Sequence, residues 1–346
     1  NYLARNLMFN IVFEISFVVT LFSLIFLRPL AIKLKLVDIP TDRKNHRGQV
    51  PSIGGICIFI GLLSSQIYEN QFDKVSLTML LTAGLILILG ICDDFLNLTA
   101  KIKLNVQILV VIITIYFADL KLESFGSLFG MSYPLELGVF SVPITIIAVI
   151  GLTNAFNMID GIDGLAGGLV LTAFFGMFFY NILSADFLFT NILLAIVAGT
   201  IPFLALNISS HSKFKVFLGD GGSLFLGYIV SWALIYSAEN NNNFSPTFAL
   251  WCVTIPLFDF MSVVIIRLLK KRSVISADRH HIHHFLESLG LPRKISMVII
   301  IFLSLFTLLL GFVLEKHFPS ISFSIFIILF LFYLFSRLLL KFKVQS

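Results

Sequence analysis

Eleven apolar runs divide the chain, at about 7–27, 52–68, 75–92, 104–120, 139–156, 165–184, 187–206, 222–238, 246–266, 295–314 and 321–340. Crossing roughly 30 Å of hydrocarbon takes about 20 apolar residues in a helix. An outer-membrane barrel would instead show alternating segments of about ten residues, and these runs do not alternate. In lipid the backbone N–H and C=O groups have no water to bond, so each run must satisfy them internally as a helix. Composition agrees, because 58% hydrophobic and 12% charged residues cannot coat a water-facing surface. The expectation is an all-α, polytopic integral membrane helical bundle of about 11 transmembrane helices, with 1–346 forming a single membrane-embedded domain. The first run holds Glu14 and has no small-residue cleavage pattern behind it, so it reads as a retained span. Cys57, Cys92 and Cys252 lie in or beside apolar runs without a pairing or zinc-binding pattern.

The charged residues orient the bundle. Alternate loops carry Arg28 to Arg47, Lys101 and Lys103, Lys213 and Lys215, Arg267 to Lys294, and the tail from Arg337, together 20 of the 24 lysines and arginines. Only Arg5, Lys74, Lys121 and Lys316 fall in the other set. Positively charged loops stay in the cytoplasm, which predicts an outside N-terminus and a cytoplasmic C-terminus. The segment 121–138 and the asparagines before Phe244 read as plain outer linkers. The basic loop 267–272 suits anionic membrane lipids, although topology alone accounts for it.

Every loop with chemical potential falls on the basic side. Asp93 and Asp94 close the third run; adjacent carboxylates repel, and either a divalent cation or a solvated helix end relieves them. Asp160 and Asp163 follow Asn154 and Asn157 in a glycine-rich turn that lacks the spacing of a calcium loop. Asp220 sits among glycines at a helix start, where backbone N–H groups can meet a phosphate or simply cap the helix. Asn207 ends the seventh run, and Pro51-Ser-Ile-Gly-Gly55 reads as a mobile lid or a loosely packed helix start. Asp259 lies within an apolar run and reads as a structural hydrogen-bonder. Four histidines, His280, His281, His283 and His284, crowd into five residues behind Asp278 and Arg279. Such a cluster suits an anion or a metal, and the guanidinium fork matches a phosphate. Together these groups suit a metal-bound diphosphate on the cytoplasmic face, and phosphoryl transfer is the chemistry that needs such an arrangement. A transporter would place polar groups near the membrane midplane. A zinc hydrolase would use the histidine cluster.

In order along the chain stand V-D-I-P-x-D-R-K-x-H, P-S-I-G-G, D-D-F-L-N-L, N-A-F-N-M-I-D-G-I-D-G, K-V-F-L-G-D-G-G-S and D-R-H-H-I-H-H-F. This set resembles the polyprenyl-phosphate N-acetylhexosamine-1-phosphate transferases, and within them the bacterial branch that uses N-acetylglucosamine and undecaprenyl phosphate. The eleven-span topology with an outside N-terminus is similar to that family's as well. The resemblance implies transfer of N-acetylglucosamine-1-phosphate from UDP-N-acetylglucosamine to undecaprenyl phosphate, with release of UMP. The product would initiate cell-surface polysaccharide, O-antigen or a related glycan, at the bacterial inner membrane; another UDP-N-acetylhexosamine donor is the variant reading. It also implies Mg2+, with Mn2+ as a substitute. Catalytic roles would fall to Asp93, Asp94, Asp160 and Asp163, and metal ligation to Asp220 and Asp94. Asn157, Asn207, Arg279, His280, His281, His283 and His284 would bind substrate. No nucleic-acid partner is expected, and a homodimer is compatible with these features.

Overall fold

The computed structural model describes residues 2–38, 48–70, 72–181, 187–211, 213–240, 244–271 and 281–344. Arg279 and His280 lie outside the described residues, as does most of the segment from Asp38 to Arg47. Among the described residues each of the eleven apolar runs forms helix. In chain order the helices are α1 Tyr2–Lys33, α2 Gly54–Glu69, α3 Lys74–Leu96, α4 Ala100–Ala118, α5 Ser141–Ile159, α6 Leu165–Asn181, α7 Phe187–Asn207, α8 Gly219–Asn240, α9 Pro246–Cys252, α10 Thr254–Leu269, α11 Ile282–Ser288, α12 Arg293–His317 and α13 Pro319–Val344. The chain is thus an all-α polytopic membrane protein. Among the described residues eight helices are long and apolar enough to cross a membrane.

Three runs fall outside that set. Helix α2 has 16 residues, and the described apolar part of α6 is shorter than a full span. The run at 246–266, read as one span, is two helices bent by 86° at Val253. Pro256 weakens the helix at this point, because its ring crowds the carbonyl of Cys252 and it has no N–H to return to it.

Helix α8 is the axis of the bundle. It is apolar all round and buried along nearly its whole length, from Gly221 to Ser237. Helices α2 and α3 cross its first turn at glycine contacts that leave no space for side chains. A Cβ on Gly90 would lie 2.3 Å from the Gly221 Cα, and one on Gly55 would lie 2.1 Å from the Gly222 Cα. These approaches press the C-terminal end of α3 against the N-terminal end of α8.

Two further expectations change. The Pro51-Ser-Ile-Gly-Gly55 segment is packed firmly. Strand β1 (Val37–Asp38) pairs antiparallel with β2 (Val50–Pro51), the Phe217 N–H donates to the Pro51 carbonyl, and the Gly54 and Gly55 N–H groups donate to the Phe217 and Leu218 carbonyls. The segment 121–138 is an ordered cover: Ser124 bridges Glu136, and the Glu123 N–H donates to the Glu239 carboxylate of α8.

Candidate active site

The ends of α1, α3, α4, α5, α7, α8 and α12 that carry the basic loops meet around one polar cavity of about 740 Å³. Six acids line it, Asp38, Asp93, Asp94, Asp160, Asp163 and Asp220, together with Lys35, Lys103, Lys215, Arg293, Asn207 and His284. Residues scattered over 250 positions converge because alternate helix ends share one side of the bundle.

The third helix brings two of the acids. It runs to Leu96 and is capped by Asn97 in the left-handed conformation, whose N–H returns to the Asp93 carbonyl. Asp93 and Asp94 therefore occupy the last turn, facing the negative end of the helix dipole. Helix formation does not favour acids there, so their position needs another cause. Asp93 is buried and accepts from Lys103 Nζ at 2.6 Å, across the short turn into α4. Asp94 Oδ1 accepts from the Asp220 N–H at 3.3 Å, tying α3 to the first turn of α8. The Asp220 carboxylate in turn accepts from Asn157 Nδ2 at 3.3 Å, and Asn157 also donates to Ser223 Oγ at 2.9 Å. Asn157 stands behind the cavity wall and steers Asp220.

The turn after α5 supplies Asp160 and Asp163. Gly164 takes a left-handed backbone, and its N–H donates to Asn207 Oδ1 at 2.6 Å, while Asn207 Nδ2 donates to the Val216 carbonyl at 2.8 Å. Asn207 is thus occupied in clamping the turn to the strand-like segment before α8. Lys215 Nζ pairs with Asp163 Oδ2, lies 5.4 Å from the Phe217 ring, and has its own carbonyl held by Arg28 at 2.7 Å.

The two lysines neutralise Asp93 and Asp163. Asp94, Asp160 and Asp220 have no salt-bridging cation among the described residues. The Asp160 carboxyl is pushed up to about 8, first by burial and then by the charges of Asp220, Asp163 and Asp94. Hard carboxylate oxygens crowded in this way fit a divalent cation. Among the described residues no three acidic, histidine or cysteine side chains already meet around a single point. Magnesium commonly takes one or two protein carboxylates and completes its shell with water and phosphate oxygens, so the open arrangement suits it.

The three described histidines of the cluster point three ways. His284 lines the cavity and lies 3.6 Å from Glu287, which also accepts from Arg293 Nε at 2.9 Å. His283 is buried against Gly161, with Nδ1 unpartnered among the described residues, and burial beside His284 lowers its pKa to about 3. His281 turns inward to Asp259 and does not reach the cavity wall. These three therefore form no zinc ligand set. Lys103 and Arg293, which the sequence explains by topology alone, line the cavity, as does Lys215 at the start of the K-V-F-L-G-D-G-G-S motif. The short turn between Asp94 and α4 was the available signal for Lys103.

With this geometry in hand, comparison with known proteins gives a consistent result. Residues 76–238, from α3 to α8, match the model of glycosyl transferase family 4. A Yersinia pestis undecaprenyl-phosphate alpha-N-acetylglucosaminyl 1-phosphate transferase is 36% identical over 86% of this chain and 82% of its own length. The chain belongs to glycosyl transferase family 4. The Escherichia coli K12 protein of the same name is 35% identical over 82% of this chain and 78% of its length. A Bacillus subtilis relative, named a probable undecaprenyl-phosphate N-acetylglucosaminyl 1-phosphate transferase, is 33% identical over 91% and 87%. The matched family region carries Asp93, Asp94, Asp160, Asp163 and Asp220, the acids the fold gathers at the cavity.

Proposed function

We propose that this family 4 protein transfers N-acetylglucosamine-1-phosphate from UDP-N-acetylglucosamine to undecaprenyl phosphate, releasing UMP and forming the lipid-linked diphosphosugar. The observation that carries the reading is the trio Asp94, Asp160 and Asp220, drawn from three helix ends onto one cavity and with no salt-bridging cation among the described residues. An anionic diphosphate would be repelled by six acids set against four basic side chains, so the cavity needs cations to accept it. Asp94, Asp160 and Asp220 are the residues among which Mg2+, or Mn2+ in its place, would find its one or two carboxylate ligands. The ion would neutralise the donor diphosphate and the departing UMP phosphate.

The chain's own residues supply the rest. Lys103, Lys215 and Arg293 offer positive charge to phosphate oxygens, with the two lysines held by Asp93 and Asp163 until substrate competes for them. The lipid phosphate attacks the sugar-bearing phosphorus in line, the bond from that phosphorus to the oxygen bridging to UMP breaks, and the negative charge leaves with UMP. A phosphate monoester is already largely dianionic near pH 7, so a strong general base is not required. The cavity volume is that of a small-ligand site. A second cavity of about 390 Å³ is walled by Ile144, Ala148 and Leu152 of α5, Leu234 of α8 and Leu257 of α10, and suits part of a polyprenyl chain. Leu152 is about 12 Å along α5 from Asp160, which links the apolar and polar sites by one helix.

The distribution of basic residues supports the finer topology: eleven crossings, the N-terminus outside, and the polar cavity on the cytoplasmic face of a bacterial inner membrane. The chemistry is tested with donor labelled at the β-phosphorus. Sugar-phosphate transfer moves the label into the lipid product. Label that stays in UDP would mean simple sugar transfer and would remove the proposal.

A further inference from the structure

Asp259 of α10 is 1% exposed and does not line the polar cavity, yet its carboxylate is fully engaged. Oδ2 faces His281 Nδ1 at 2.7 Å. Oδ1 accepts from the Ile282 N–H at 2.8 Å and from the Tyr333 hydroxyl of α13 at 3.0 Å, with the Arg337 guanidinium 4.0 Å away. Arg337 also lies 5.1 Å from the Phe285 ring, closing a connection from α13 back to α11. A carboxylate this near Nδ1 makes that nitrogen the protonated one.

Helix α11 has seven residues, too few to be stable alone. Its N-cap, His281, makes no capping bond with its own side chain. Asp259 fulfils that role from another helix by accepting one of the first free N–H groups. The two residues after Ile282 are the ones that meet the site. His283 packs on Gly161, between Asp160 and Asp163, and its ring centroid is 4.2 Å from that of His284, which lines the cavity.

We propose that Asp259 is a positioning residue for the transfer reaction: by fixing His281 and the first turn of α11, it sets where His283 meets the Asp160 turn and where His284 enters the cavity. This rests on the function proposed above. Asp259→Asn keeps the size and one acceptor oxygen but turns an amide toward His281, forcing the other tautomer and removing the charge. A lost charge-assisted hydrogen bond corresponds to about 10- to 150-fold. That loss is expected in kcat, with the KM values of both substrates nearly unchanged. His281→Ala should lose a similar factor, and the double variant should be no worse than the poorer single, because both act through one contact. Losses that multiply, or a rise confined to KM, would overturn the proposal. Hydrogen–deuterium exchange supplies a readout independent of catalysis. Exchange at 282–288 should rise in Asp259→Asn while the last turn of α3 is unchanged; exchange spread evenly over α10 and α13 would mean that Asp259 only holds helices together. If the wild-type protein releases no UMP, the proposed function fails, and the exchange data still decide whether Asp259 anchors α11. Should Asp259→Asn fail to accumulate, Tyr333→Phe carries the test. A several-fold fall in kcat at constant KM supports the proposal, and wild-type kcat overturns it.

Discussion

Lys103→Met isolates the electrostatics of the cavity. The substitution keeps most of the aliphatic stem and removes the ammonium 2.6 Å from Asp93 Oδ2. The Asp93 side chain is 6% exposed, so its charge would be left in a poorly hydrated place. Breaking a fully buried pair costs about 3–5 kcal/mol. The Lys103 side chain is 30% exposed, so water already screens part of the attraction, and about 2 kcal/mol is the reasoned loss. Thermal unfolding in detergent measures the loss. Lys103→Met should melt below wild type. Adding Asp93→Asn removes the stranded charge, so the double variant should recover most of the stability while remaining inactive in UMP release. A double variant that melts no higher than Lys103→Met would refute the argument that the pair is held by mutual neutralisation.

Other outcomes follow from the same geometry. Gly90→Ala should cost about 1–3 kcal/mol and most of the activity, because its Cβ would meet the Gly221 backbone at 2.3 Å and separate Asp94 from Asp220; wild-type melting and turnover would contradict the close crossing. Asp160, raised to about 8, keeps its proton near neutrality in the metal-free protein, and ionising it lowers stability as pH climbs from about 4 through 8. A divalent cation must displace that proton, so Mg2+ affinity by calorimetry should rise up to tenfold per pH unit and level off above about 8; a flat profile, or an unchanged slope in Asp160→Asn, would exclude this role. Asp220→Asn should raise the Mg2+ concentration needed for half-maximal turnover or abolish turnover, and an unchanged magnesium response would remove its role as a ligand.

Hydropathy made the helices legible, because a lipid-embedded segment has one way to satisfy its backbone and its residues announce where it starts and stops. The break at Val253 was not legible in the same way: 246–266 stays apolar throughout, and Pro256 alone marks the bend. At the site, Asp93, Asp94, Asp160, Asp163 and Asp220 stood out as acids beside hydrocarbon, where ionised groups need a reason to exist. Lys103 did not, since a lysine in a basic loop already has a topological explanation. The histidine cluster shows the opposite limit. Spacing along the chain grouped His281, His283 and His284, but the direction of each ring is set by Asp259, Gly161 and the cavity, partners more than 20 residues away in the chain or across the bundle. Asp259 itself read as structural because none of its partners is near it in sequence.

The most direct measurement is UMP release by purified protein with Mg2+, with and without undecaprenyl phosphate, comparing UDP-N-acetylglucosamine, UDP-N-acetylgalactosamine and UDP-glucose, and with Asp94→Asn as the control. The account predicts UMP release from UDP-N-acetylglucosamine that depends on the lipid and is lost in Asp94→Asn. Folded protein that releases no UMP from any of these donors, or an Asp94→Asn variant as active as wild type, would contradict it.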